Sequence, residues 1–376
     1  MAASSPHLNT FNWSLPVAVR FGLHAADEAA QQLQGRPLVV LAFPGARAHE
    51  VVDRFSREVS DTLLAWVEVP DGLSTMALGR HIAQRVWPIL ERSPKAVLVG
   101  LGGGSVMDLA KWVRLRPPGS NPAGLEVLME SSVPPLGWHR HELWLLPTTA
   151  GTGSEVTRWS TLWDTESALI TKRSFDQPYA YADRAYIDPR LALSCPESVT
   201  RDSALDTLGH ALEVIWNRHR NPVSVHLAEV AARTVLQQLP LALQRPQDLS
   251  PRAGLALAAL EAGMAFSQTR TALAHALSYP LTLEQGLSHG AAVAVWLPVV
   301  WRLACGHSQE IDDSLCRVMG VPAIQGDQVL KDWFDRVGFG HNLQALGIDD
   351  VQHRVQQALN HPRGRNFQGA WSSGIL

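Results

Sequence analysis

The chain is predicted to pair an α/β domain built on a doubly wound parallel sheet with an all-α second domain. Up to about residue 192, short apolar runs bounded by turn residues alternate with helical stretches of ten or more residues. Directly after one of those runs comes a glycine triplet, Gly102-Gly103-Gly104, which opens a helix. Past residue 192 strand signals almost vanish. At 376 residues the chain is long enough for both domains, taken as 1–192 and 193–376.

The elements follow in order. Residues 1 to about 10 are small and polar and are expected to be poorly ordered. Phe11 to Gly22, with alternating Val17, Val19 and Phe21, reads as an extended strand or hairpin. His24 to Leu33 has helical spacing and a stop at Gly35, and 37–43 is a short apolar run, the mark of a buried parallel strand. Helix 48–59, strand 66–69, helix 74–92 and strand 96–101 repeat the alternation. Leu143 to Pro147 is a further buried strand, 159–170 reads as strands or a hairpin, and 186–189 closes the first domain. Amphipathic helices then follow at 201–217, 222–238, 252–269, 272–280 and 291–304, with a last one at 350–361. Pro362 to Asn366 is loop-like, and its Arg365 and Asn366 are assigned to the surface in preference to the alternative, a return to the cleft.

Composition excludes several classes. The 32 basic and 35 acidic side chains are interspersed, with a net charge of −3, which lacks the basic footprint of a nucleic-acid binder. Three cysteines share no metal-type spacing and are too few for a disulfide scaffold, so a reducing cytoplasm is expected. The N-terminus has no charged start leading into an apolar core. The most apolar stretch, 291–304, is short and broken by Pro298, so neither a signal peptide nor a membrane span is expected. The 13 tryptophans are read as core or interface mass.

Two stretches carry chemistry. Glycines at the end of a parallel strand let backbone approach a pyrophosphate, and the amides of the following helix offer donors; a tight turn alone would use the same residues. Asp206 and His210 stand four apart and share a helix face, as metal ligands or as a simple ion pair would. His275 and His289 add two imidazoles, and one carboxylate with three imidazoles suits Fe(II) or Zn(II) better than Mg or Ca.

With these motifs in this order, the chain resembles the iron-containing alcohol dehydrogenase family over about residues 10 to 300. The ligand intervals 206, 210, 275 and 289 match, as do Gly102-Gly103-Gly104-Ser105 followed by Asp108 and Lys111, and Pro147 to Glu155. The resemblance implies a dehydroquinate synthase-like fold and a metal-dependent NAD(P)-linked oxidoreductase interconverting a small aldehyde and its primary alcohol. It further implies a homo-oligomer, a dimer, with chemistry at the seam between a nucleotide domain and a metal domain.

Asp206, His210, His275 and His289 would then hold Fe(II), with Zn(II) as the alternative, and the ion would take a substrate oxygen besides. Gly102, Gly103, Gly104, Ser105, Asp108, Lys111, Thr148, Thr149, Thr152, Ser154 and Lys172 would line the nucleotide. Two positions depart from the family. Where many relatives have a second histidine four after the third ligand stands Tyr279, taken as a catalytic proton donor and a poor base. Where NAD-using relatives often carry an Asp at a strand end stand Ala42 and Phe43, with Arg47 nearby, so NAD and NADP both stay open.

Residues 274–282, preceded by Thr269-Arg270-Thr271, resemble the branch that contains phosphonoacetaldehyde reductases. An anionic aldehyde would need cations, and Arg158, Lys172, Arg173 and Arg270 are the candidates. The competing readings are a maleylacetate reductase-like or general short-chain alcohol dehydrogenase, a lyase of the dehydroquinate synthase type, and a catalytically silent nucleotide- or metal-binding protein.

Overall fold

Alternation along the short strands decides where their side chains go. The computed structural model describes residues 10–129, 131–168 and 170–370. The expectation of poor order at the N-terminus concerns residues 1–9, which lie outside the described residues. Contacts gather the chain into two units. One comprises Leu15–Thr149 and Ser154–Cys195; the other comprises Ala150–Gly153 with residues 10–14 and 196–370.

The first unit runs β1 (Ala18–Phe21), α1 (Ala25–Leu33), β2 (Leu38–Ala42), α2 (Glu50–Glu58), β3 (Leu63–Glu68), α3 (Met76–Arg92), β4 (Val97–Gly102) and α4 (Gly104–Val113). It continues with β5 (Leu115–Arg116), β6 (His139–Arg140), β7 (Leu143–Pro147), β8 (Trp159–Asp164), β9 (Thr171–Asp176) and β10 (Arg184–Ile187). Six strands form a parallel sheet in the order β1-β10-β7-β4-β2-β3. Val39, Leu41, Leu98, Leu143 and Leu145 enter the apolar cluster on one face. Their neighbours Leu38, Val40, Val97, Val99, Trp144 and Leu146 enter the cluster on the other, as a period of two requires. Covering both faces is what makes these strands read as continuous apolar runs.

β1 corrects the hairpin alternative for residues 11–22. It lies at the sheet edge, parallel to β10, pairing Ala18 with Arg184 through Phe21 with Ile187. β8 and β9 do form an antiparallel hairpin, Trp159 opposite Asp176.

The second unit is helical: α5 (Glu197–Ile215), α6 (Pro222–Gln244), α7 (Leu249–Thr269), α8 (Leu273–Gln285), α9 (His289–Ala304), α10 (Gln309–Met319), α11 (Gly326–Arg336) and α12 (Val351–Asn360). α6 opens on Asn221-Pro222 with a full capping box between Asn221 and Ser224. α10 and α11 lie where the sequence reading assigns no element; the Ser308 hydroxyl starts α10 by accepting from the Ile311 amide. Residues 362–366, read as loop, end in a short 3-10 turn, Gly364–Asn366. No helix among the described residues is long and apolar enough to cross a membrane.

Two glycines allow the helices that carry the candidate ligands to meet. A Cβ on Gly209 of α5 would stand 2.6 Å from Val293 of α9, and one on Gly290 of α9 would stand 1.9 Å from the Asp202 carbonyl oxygen of α5. Gly290 therefore lets backbone pack on backbone, and Gly209 makes room for the Val293 side chain, next to Asp206, His210 and His289.

Candidate metal centre

Asp206 and His210 project from one face of α5, His275 from the first turn of α8, and His289 from the first residue of α9. The Nε2 atoms of His275, His289 and His210 lie 3.5, 3.8 and 3.9 Å from Asp206 Oδ1. Ligand atoms of Asp206, His210 and His275 all lie within 4.8 Å of one another. A tetrahedral shell at ~2.1 Å from an ion separates its donors by about 3.4 Å, so the spacing fits a first-row divalent cation.

The polar atoms are the second part of the fit. Asp206 Oδ1 and His275 Nε2 are buried and take no hydrogen bond among the described residues, an arrangement that is costly unless a ligand satisfies them. The His289 side chain, 35% exposed, forms the open side. The His210 ring stacks on Phe266, 4.0 Å between centroids, and on His275 at 4.6 Å.

Burial and mutual charge pull the members of the set in different directions. Burial pushes the Asp206 carboxyl up, but His210, His289 and His275 outweigh it and hold the group well below the ordinary carboxylate range. Burial pushes His210 down to about 4, against the pull of Asp206. His275 is raised: burial opposes its charge, and Glu213 and Asp206 overcome that.

Tyr279 stands one turn after His275. Burial raises its phenol above the ordinary value while the Arg363 charge opposes the rise, so it remains a proton donor at neutral pH. Arg363 lies over the Tyr279 ring at 5.8 Å and donates to Thr271 Oγ1 at 2.6 Å. Its charge also reaches His210. The sequence reading missed this arginine and named Arg365 and Asn366 as surface residues. Arg365 is exposed, whereas Asn366 is buried and donates to the Thr271 carbonyl at 2.9 Å, a correction for that residue.

Glu213, three residues after His210, was also missed. A carboxylate within Ala211-Leu212-Glu213-Val214-Ile215, on a helix otherwise apolar there, was the available signal.

The nucleotide motifs belong to the sheet unit except for Ala150–Gly153, which groups with the helices. Gly102 ends β4 and Gly103 precedes α4 with no side-chain cap, which suits first-turn amides that serve a ligand oxygen. A Cβ on Gly102 would collide with Val106 at 2.5 Å, and one on Gly103 would touch Thr149 at 3.4 Å. The Thr148 amide donates to the Gly102 carbonyl, and the Ser105 hydroxyl to that of Gly72. Thr152 lies in the part-buried loop that meets α5, where the Thr207 hydroxyl faces the Ala150 and Gly151 carbonyls at 3.3 Å.

Asp108 and Lys111 face inward. The Asp108 carboxylate accepts from Ser154 Oγ and the Thr161 amide, both at 2.7 Å. Lys111, fully buried, donates to Ser154 Oγ at 2.7 Å and to the Trp159 carbonyl at 2.6 Å. In this structure what Lys111 holds is the loop itself. Burial pushes Lys111 down to about 8 and also raises Asp108.

Of the expected substrate cations, Arg158, Lys172 and Arg173 sit at the β8–β9 hairpin and Arg270 at the end of α7. Arg158 pairs with Asp176 at 2.5 Å and Arg173 with Asp164 at 3.2 Å, both on the β8–β9 hairpin, and Lys172 Nζ lies 5.8 Å from the Trp163 ring. Arg270 is exposed where α7 ends, in a left-handed φ of 66°. Arg47 lies over the Trp66 indole at 4.5 Å, while Glu68, opposite Ala42, accepts the Gly45 amide. Both signs of charge thus flank the end of β2.

Comparison with known proteins gives the family. The iron-containing alcohol dehydrogenase model matches residues 16–189, and the C-terminal model of the Fe-containing alcohol dehydrogenase family matches 200–375. Long-chain-alcohol dehydrogenase 1 of Geobacillus thermodenitrificans is 36% identical over 57% of this chain and 55% of its own. The phosphonoacetaldehyde reductase of Streptomyces viridochromogenes is 28% identical over 71% of each chain. The chain spans about half the length of several curated relatives it matches, the Geobacillus enzyme among them. The crystal structure of sulfoacetaldehyde reductase from Bifidobacterium kashiwanohense in complex with NAD+ superposes with a TM-score of 0.86 over 98% of this chain and 96% of that one. At 22% identity this likeness speaks for the fold alone. On the two family models, which together match residues 16–189 and 200–375, the chain belongs to the iron-containing alcohol dehydrogenase family.

Proposed function

We propose that the chain is a metal-dependent, nicotinamide-linked oxidoreductase that interconverts a small aldehyde and its primary alcohol, with Fe(II) as the metal and Zn(II) as the alternative. The observation that carries this reading is the convergence of Asp206 Oδ1 with the imidazoles of His210, His275 and His289. A divalent cation in that set supplies Lewis acidity toward a carbonyl oxygen, and a nicotinamide supplies the hydride. The uncapped start of α4 beside Gly102-Gly103-Gly104 supports nucleotide binding in the sheet unit.

The chain's own residues supply the rest. Phe266, flat against His210, keeps water from that side of the ligands. Tyr279, held protonated by burial, is the donor for the product oxygen, with Oη as the atom that gives the proton. Arg363 beside Tyr279 favours an anionic aldehyde, since a guanidinium suits a phosphonate or sulfonate better than a neutral alkyl group. A relative named phosphonoacetaldehyde reductase supports the same substrate class.

The test is a steady-state panel with Fe(II)- and Zn(II)-loaded protein, NADH and NADPH, and phosphonoacetaldehyde, sulfoacetaldehyde, propanal and lactaldehyde. Reduction of an anionic aldehyde with higher kcat/KM than propanal is expected. Arg363→Met should raise KM for the anionic pair roughly tenfold or more, the loss of one charge-assisted contact, and spare propanal. Preference for the neutral pair, unchanged in Arg363→Met, refutes the anionic substrate and leaves the oxidoreductase standing. Tyr279→Phe is expected to lower kcat by about 10²-fold with KM nearly unchanged.

A further inference from the structure

Glu213 is fully buried on α5, where a carboxylate is costly unless every lone pair is met. All of its partners come from the start of α8. One oxygen accepts from the amides of Ala274 and His275; the other accepts from the Ala272 amide and faces His275 Nδ1 at 2.8 Å. The helix provides no side-chain cap of its own, because its N-cap is Ala272. Glu213 therefore caps α8 from a different helix and grips the ligand carried in its first turn.

The chemistry of the pair selects a tautomer. An ionised carboxylate only accepts, so Nδ1 must carry a proton and donate it; in the neutral ring this leaves Nε2 with its lone pair. Nε2 is the atom 3.5 Å from Asp206 Oδ1 that takes no hydrogen bond among the described residues. His210 has no such support: its Nδ1 takes no hydrogen bond among the described residues, and its ring is set by stacking on Phe266 and His275. The order in the centre thus passes from Glu213 to His275 and on to His210.

We propose that Glu213 is the positioning residue of the metal centre, fixing the His275 tautomer and ring plane so that Nε2 meets the divalent cation, and strengthening that nitrogen as a donor through its charge. This rests on the reading that Asp206, His210, His275 and His289 hold such a cation.

The experiment uses the full chain stripped of metal, as wild type, E213Q, E213D, H275A and E213Q/H275A. The Zn(II) Kd is read by competition with a chromophoric chelator, and imidazole tautomers by 15N-histidine NMR. In E213Q one amide oxygen replaces two carboxylate oxygens and an NH2 meets backbone donors, so the Kd is expected to rise roughly 10–100-fold. The single Nδ1–H form of His275 should become a mixture, and E213D, which keeps the charge, should recover part of the affinity. In the H275A background E213Q should add little, since the effect runs through that ring; a role confined to helix stability would add fully there. A folded E213Q with wild-type Kd and tautomer overturns the inference. So does a neutral His275 ring in the wild type that carries its proton on Nε2 and not on Nδ1, read at a pH above its titration, a result that needs no variant to fold. Absence of Zn(II) binding by wild type removes the metal reading, and this inference with it.

Discussion

Glu155 shows at the scale of one residue what burial does to charge in the loop after β7. Its carboxyl is 3% exposed, and burial pushes it up from 4.5 to about 7 while the Lys111 charge pulls it down. The folded pKa lies above the unfolded one. The contribution to stability is therefore complete below about pH 4.5 and is lost as pH rises through 7. Glu155→Gln keeps the shape and removes the ionisation, so its Tm should exceed that of wild type at pH 8 and lose this advantage at pH 5. Melting curves at half-unit intervals check this; a difference that stays constant between those limits would show that another group titrates. Single residues were also where the sequence was hardest to read. Asp206, His210, His275 and His289 were singled out because their intervals match the family the chain resembles, whereas Arg363 and Arg365, two residues apart, differ only in which one the 3-10 turn directs toward Tyr279.

At the scale of elements, strands and long helices were legible through period. The alternation in Val97 to Leu101 and Leu143 to Leu146 sends successive residues to opposite faces of the sheet. What periodicity does not report is how closely two elements approach. Gly290 illustrates the gap. It reads as a helix breaker near a helix start, yet its function is to admit the Asp202 carbonyl of α5, with Asp206 Cβ 3.1 Å from the missing side chain. Neither contact can yield cheaply, because both belong to α5, the helix that bears two of the proposed ligands. Gly290→Ala is therefore expected to push the start of α9 outward, to cost about 1–3 kcal/mol, and to weaken metal binding through the adjacent His289. Urea melts with a parallel Zn(II) titration measure both. Loss of stability with unaltered affinity would mean that His289 follows the ion independently of its helix.

For the whole molecule, the proposed metal would couple to folding and turn the occupancy of the site into a measurable stability. The donors come from α5, α8 and α9, so an unfolded helical unit cannot present them together, and binding to the native state must stabilise it. At a free Zn(II) concentration of ~100 times Kd the gain is about 2.7 kcal/mol. For a unit of this size that corresponds to a rise in Tm of roughly 5–10 °C. The rise should grow with the logarithm of free metal, reverse with a chelator, and disappear in His210→Ala. That variant removes a proposed ligand whose ring also buttresses His275, so its metal-free Tm should fall as well. The comparison is then between metal-bound and metal-free forms of each protein. A shift of equal size in His210→Ala would place the stabilising ion elsewhere on the chain, and the four converging side chains would lose their claim to it.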